Sequence, residues 1–194
     1  MSKKLILLIG APGSGKTTDG SAIAKNHPEI TSYSIGQLLE DEAKKDTKLG
    51  KINNDYISKG ELIPTAIVID TIMDAVKDAP TDIVLLDGFP RKEKQMKIFA
   101  DILNGNHTID LDSVIEIRVS EEVARQRVLG RNEDRTDDNE EVFNNRMKIY
   151  KETISNIEEF YNHSHLLKII DGEREVDEVV ADIDKFLKSH IALA

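Results

Sequence analysis

The residues with the clearest chemical potential begin at the tenth position. Gly10-Ala-Pro-Gly13-Ser14-Gly15-Lys16-Thr17 fits the pattern G-x-x-x-x-G-K-[ST] in full. Glycines let the backbone take positive φ and bring its N–H groups onto phosphate oxygens with no Cβ in the way. A helix starting at the same place aims the positive end of its dipole at those oxygens. Lys16 adds a mobile cation for β- and γ-phosphates, and Thr17 a hydroxyl for Mg2+. The bland alternative is a glycine-rich turn that binds nothing. The apolar run at 5–9 before the loop and the helical pattern after it favour nucleotide binding. Asp87 closes a second apolar run, 83–86, where an acid beside such a loop holds Mg2+ directly or through water.

Arg127, Arg131, Arg135 and Arg146 lie within twenty residues of one another. A guanidinium is planar, stays charged and binds phosphate oxygens bidentately. Arg127 and Arg131 have the i,i+4 spacing at which like charges repel on a helix, so an anionic ligand accounts for them better than a solvated face. The chain as a whole has 26 basic and 36 acidic residues among 194, a net charge of −10. An anionic substrate must therefore be met by positive charge gathered locally. The same balance argues against a nucleic-acid-binding surface.

These residues need a scaffold, and the hydropathy pattern supplies one. Apolar runs at 5–9, 83–86, 114–119 and 166–170 read as strands, with a weaker one at 31–34. Most lack strict alternation, as strands covered on both faces do. Helical periodicity falls near 15–25, 36–46, 65–78, 92–104, 120–130, 139–162 and 175–189. Ser120 and Asn139 each precede a pair of acids and read as N-caps. Strands alternating with helices predict a parallel sheet with right-handed crossovers. The mostly helical stretch at 34–64 is the candidate for a small insert within one domain spanning 1–194.

Cysteine is absent, so neither a disulfide framework nor a cysteine zinc site is expected, and a reducing compartment fits. The run at 5–9 is too short to cross a bilayer, and Gly10 to Gly13 interrupt it too early for a signal peptide. The expectation is a soluble cytoplasmic protein with no membrane partner. His163 and His165, at i,i+2 on a helix end, share no face and predict no metal site; His27, His107 and His190 fall in turn-like or terminal segments.

The loop, Leu86-Asp87-Gly88-Phe89-Pro90-Arg91, Arg131 after Val-Leu-Gly, and Arg135-Thr-Asp-Asp-Asn-Glu-Glu with Arg146 together resemble the adenylate kinase family over nearly the whole chain. The resemblance implies an α/β P-loop NTPase fold: a five-stranded parallel sheet flanked by helices, a helical insert at 34–64 that binds the nucleoside monophosphate, and a minimal lid at 130–138. It implies reversible transfer of the γ-phosphoryl group from MgATP to AMP, giving two ADP, by a monomer with no zinc. ATP would be held by Gly13, Ser14, Gly15, Lys16, Thr17 and Thr18, with Arg127 against its adenine, Arg131 on its phosphates and Arg174 beside it. AMP would meet Gly36, the backbone of Glu61, Leu62 and Ile63, and Gly88, Phe89, Pro90, Arg91 and Gln95. Gln95 suits adenine because an amide both donates and accepts. Arg135 and Arg146 would span both nucleotides, so that Lys16, Arg91, Arg131, Arg135 and Arg146 carry the catalysis. Thr17 and Asp87 would serve Mg2+.

The chain departs from the family in the insert. Where the family has Ser-Thr-Gly-Asp-x-Leu-Arg, this sequence reads Ser34-Ile35-Gly36-Gln37-Leu38-Leu39-Glu40. An acid thus stands where the family's arginine pairs with the AMP phosphate. Either Glu40 faces the acceptor, or it faces solvent and Lys44 or Lys45 supplies the cation one turn later. These changes leave an ATP-binding module with an impaired AMP site as one alternative, and the Asp-Asp-Asn-Glu helix start shared with short-lid relatives leaves a kinase preferring UMP or CMP as another.

Overall fold

Leu5 to Ile9 and Ile83 to Leu86 present no polar face, and both segments are buried in the middle of one sheet. The computed structural model describes residues 2–59, 61–130 and 139–191. Its elements in chain order are β1 (Lys3–Ile9), α1 (Lys16–Asn26), β2 (Ile30–Ser34), α2 (Ile35–Ala43), α3 (Lys48–Ser58), α4 (Thr65–Asp78) and β3 (Ile83–Asp87). They continue with α5 (Glu93–Asn104), β4 (Ile109–Arg118), α6 (Glu121–Leu129), α7 (Glu140–His163), β5 (Leu167–Asp171) and α8 (Val176–His190). The five strands lie in the order β2-β3-β1-β4-β5, and every neighbouring pair is parallel. The predicted α/β architecture is therefore the one observed, including the weak strand at the edge.

Successive side chains of a strand point to opposite faces, and β1 divides two cores in this way. Leu5, Leu7 and Ile9 pack with Ile72 of α4, Phe99 of α5 and Tyr161 of α7 on one side. Ile6 and Leu8 pack with Ile23 of α1 and with Ile183 and Leu187 of α8 on the other. A third cluster sits at the strand ends, where Ala11 meets Val119, Ala124 and Val128, and α7 adds Phe143 and Met147.

Three details differ from the sequence reading. β4 starts at Ile109, not at 114, because Asp110 and Asp112 hide a strand that the backbone nevertheless forms. The register slips there: Leu5 faces Leu111 but Ile6 faces Ser113, and the skipped Asp112 pairs with Lys4 at 3.4 Å. The helix expected at 36–46 stops at Ala43, and a new one begins after Thr47, whose hydroxyl accepts from the Gly50 amide at 2.9 Å. His27, expected in a turn, is a buried polar residue that joins the end of α1 to Asp184 of α8 and lies 3.5 Å from Glu29. Among the described residues no helix is long and apolar enough to cross a membrane.

Both expected caps are made. The Ser120 hydroxyl accepts from Val123 N at 3.3 Å, and the Asn139 side chain from Val142 N at 2.9 Å. Asn139 opens α7, whose inner face lines the site described next. Asn139→Ala removes the acceptor for an otherwise unsatisfied amide and is expected to cost about 1 kcal/mol. In a chain of this size that is a fall in Tm of roughly 2–4 °C, read by thermal melting.

Candidate active site

Leu8 of β1 lies opposite Asp87 of β3, and Ser34 of β2 lies opposite Asp87 on its other side. The segments following these three strands consequently emerge side by side at the carboxyl edge of the sheet, where α/β proteins bind ligands. They open into one cleft of about 730 Å3. Its wall includes Gly13, Gly15, Lys16, Thr17 and Thr18 on one side. Gly36, Glu61, Leu62, Ile63, Gly88, Phe89, Pro90, Arg91 and Gln95 form the other, and Arg146 of α7 also faces the cleft.

The loop after β1 owes its shape to two glycines. Gly13 has φ 79° and Gly15, which caps α1, has φ 101°. A Cβ on Gly13 would lie 2.6 Å from Val128 Cγ2 and 2.7 Å from the Ala124 carbonyl, so α6 presses directly on the loop. Lys16 Nζ folds back over the turn, donating to the carbonyls of Gly10 (2.9 Å) and Ala11 (2.8 Å) and to the hydroxyl of buried Ser14 (3.1 Å). The ammonium and the start of α1 thus place positive charge at one point.

Asp87 is almost fully buried, and its Oδ2 has no hydrogen-bond partner among the described residues. Burial raises its pKa, while the Lys16 ammonium, the Thr17 hydroxyl, Arg91 and the Ser34 hydroxyl pull it down. An orphaned carboxylate oxygen beside a threonine hydroxyl fits a hard cation such as Mg2+. No group of three or more His, Cys, Asp or Glu side chains capable of holding a metal occurs among the described residues. An ion here would take its remaining ligands from water and phosphate, as Mg2+ commonly does.

On the opposite wall, Arg91 Nε donates to the Gly88 carbonyl at 2.8 Å, and the Arg91 carbonyl accepts from Thr153 Oγ1 of α7 at 3.2 Å. Gln95, expected against an adenine, lines the cleft, and its Oε1 accepts from the Arg91 amide at 2.8 Å. Its amide group sits in the cleft wall. Phe89 packs edge-on against Phe99 at 5.0 Å and is a core residue with one edge on the site. Ile35 is buried, Gln37 donates to Asp41 at 2.8 Å, and Glu40 lines the cleft. Lys44 and Lys45 pair with Asp41 and Glu42 and do not line it, so the substitute cation considered above is not supplied from that turn.

Two expected ATP contacts lie outside the cleft. Arg127 Nη1 donates to the Ser14 carbonyl at 3.3 Å from behind the loop. Arg174 turns to Asp182 of α8 at 2.6 Å, next to a shallower crevice of about 440 Å3 between the ends of β4 and β5. Arg131 and Arg135, and with them the expected lid after Gly130, lie outside the described residues.

Asp19 escaped the sequence reading, since an acid in the first turn of a helix is ordinary. It is 3% exposed, and its Oδ2 is 3.3 Å from where a Cβ on Gly15 would sit. Burial pushes its carboxyl up to about 6, against the opposing pull of Arg127 and Lys16.

A glycine loop closing the central strand of a parallel sheet, next to a strand-end acid with an open coordination position, is the phosphate-binding arrangement of P-loop nucleotide enzymes, and this chain has it. Comparison with known proteins narrows the class. The family model for adenylate kinase matches residues 8–166. Adenylate kinase of a Sulfurovum species is 54% identical over 196 residues, covering 97% of this chain and 100% of the relative. Those of a Nitratiruptor species and of a Campylobacter jejuni strain are each 52% identical, covering 97% and 96% of this chain and 97% of each relative. The chain belongs to the adenylate kinase family and is a phosphotransferase.

Asp19 has a measurable signature. Its folded pKa of about 6 lies above the ordinary 3.8, so between those values the folded chain holds a proton that the unfolded chain has lost. Its contribution therefore favours folding at low pH and is lost as pH rises through 6. A shift of this size corresponds to about 3 kcal/mol. Asp19→Asn is expected to be more stable than wild type by up to this amount above about pH 6.5, with the difference vanishing near pH 4. Urea unfolding of both proteins across that range measures it.

Proposed function

We propose that this chain catalyses reversible transfer of the γ-phosphoryl group from MgATP to AMP, yielding two ADP. The observation that carries the reading is that the phosphate loop and the Gly88–Arg91 segment open into a single cleft, so donor and acceptor phosphates can meet without leaving it. Family membership, and the name adenylate kinase on relatives about half identical along their whole length, support it.

The chemistry asks for positioning and positive charge, not a covalent intermediate. Residues 13–18 would grip the triphosphate, with Lys16 releasing its loop carbonyls to follow charge onto the transferring group. Thr17 and Asp87 would hold Mg2+, which when bound offsets charge on the β- and γ-oxygens. Arg91, fixed through Gly88, Gln95 and Thr153, would orient the acceptor phosphate, while Arg146 reaches in from α7. Arg131 and Arg135 would complete the cationic ring from the lid at 130–138, and the 34–64 segment would close as the acceptor-binding insert. Closure excludes water, so that AMP and not solvent receives the phosphoryl group.

Glu40 in the cleft wall favours one qualification of this reading: the acceptor half binds a phosphate less well than the donor half. A unit charge pair at about 4 Å and an effective dielectric of about 20 is worth on the order of 4 kcal/mol before screening. Glu40→Arg is therefore expected to raise kcat/KM for AMP by tenfold or more at unchanged KM for ATP. Steady-state kinetics showing no gain would remove Glu40 from the acceptor site.

The activity itself is tested by coupled detection of ADP from ATP plus AMP, with UMP and CMP as competing acceptors. Turnover is expected to be highest with AMP. Lys16→Met should lower kcat at least a hundredfold, as loss of a charge donor at the transferring group does. ATP binding without ADP formation at any acceptor concentration would leave a binding module and no kinase.

A further inference from the structure

We propose that Glu116 is a positioning residue for phosphoryl transfer: its buried carboxylate fixes Tyr150 in the cleft wall and, with it, the turn of α7 that presents Arg146. Glu116 is 0% exposed, on β4 between Ile115 and Ile117, which are equally inaccessible. It stands opposite Ile9, the last residue of β1 before the phosphate loop. An apolar side chain would fill this space without the cost of desolvating a carboxylate. What the carboxylate adds is direction, because each of its oxygens accepts along defined lines.

Those lines lead to α7. Oε1 accepts from the Tyr150 hydroxyl at 3.3 Å and from Arg118 Nε at 3.1 Å, and Oε2 from Arg118 Nη2 at 2.9 Å. Arg118 Nη2 also reaches Glu158 at 2.7 Å, two turns further along the same helix. The middle of α7 is therefore tied to β4 at two points: at Tyr150 by the buried acid itself, and at Glu158 by the arginine that the acid holds. Burial raises the carboxyl's pKa, and the Arg118 guanidinium opposes that shift.

The face of α7 held in this way is the one that meets the substrates. Arg146 and Tyr150 are one turn apart, and both line the cleft together with Thr153. Thr153 in turn supports the Arg91 carbonyl. Glu116 and Arg118 do not themselves line the cleft, so any influence on turnover passes through the helix.

The inference rests on the phosphotransferase reading, and wild-type ADP formation is the control that separates the two. Tyr150→Phe deletes the hydroxyl alone, and Glu116→Gln keeps the shape while discarding the charge. Each is expected to lower kcat, per folded molecule, about tenfold while KM for ATP changes less than twofold. The double variant is expected to be no slower than the slower single one, because both break the same link. A merely structural role would lower Tm and leave kcat of the folded enzyme unchanged, and that outcome overturns the proposal. So does a double variant whose losses multiply. Should Glu116→Gln not fold, Tyr150→Phe decides alone, by the same readouts of kcat and Tm.

Discussion

The turn from β1 into α1 is possible only because Gly13 and Gly15 hold φ of 79° and 101°, angles that a Cβ disfavours. With the backbone in that shape, the first amides of α1 have no partners in the helix and face the cleft. The turn is also clamped from outside. Val128 and the Ala124 carbonyl of α6 leave no room for a side chain at Gly13, and Lys16 stitches the loop to itself through two carbonyls and Ser14. Loosening any of these contacts would scatter donors that act only when they point together.

The rest of the site is organised around charge. A chain of net charge −10 must bind two phosphorylated nucleotides, and it does so by segregation. Several exposed acids outside the cleft pair with lysines and arginines, as in Glu93–Lys97 and Asp182–Arg174. Lys16, Arg91 and Arg146 are turned inward instead. Three acids nevertheless stand close to them: Asp19 behind the loop, Asp87 at its mouth and Glu40 on the acceptor wall. Burial raises the pKa of the first two, and the neighbouring Lys16 ammonium opposes that shift at both.

The long helix α7 joins these halves mechanically. Its outer turns pack Phe143 and Met147 under the phosphate loop and Ile157 and Tyr161 against the sheet. Its cleft-facing residues touch the acceptor segment through Thr153 and the central sheet through Tyr150. One element thereby sets the distance between the arginine it carries and both substrate walls.

The elements were legible in the chain only up to a point, and the order of the strands was not. Local sequence determined that residues 10–17 form a phosphate loop, that Asp87 ends a buried strand, and that Ser120 and Asn139 cap helices, because each depends on neighbours a few residues away. It also carried the family, since the Asp-Gly-Phe-Pro-Arg block is contiguous. It missed the first half of β4, whose alternating acids conceal a strand that pairing with β1 enforces. Burial of Asp19, Glu116 and His27 was equally invisible, because a polar residue's burial is set by partners distant in sequence: Arg127, Tyr150 and Asp184. Gln95 was expected at the acceptor base, and only the fold showed its oxygen accepting from the Arg91 backbone amide. Sequence thus determined which chemistry the chain carries. Tertiary structure decided which side chains face that chemistry, because only packing brings residues a hundred positions apart within hydrogen-bonding distance.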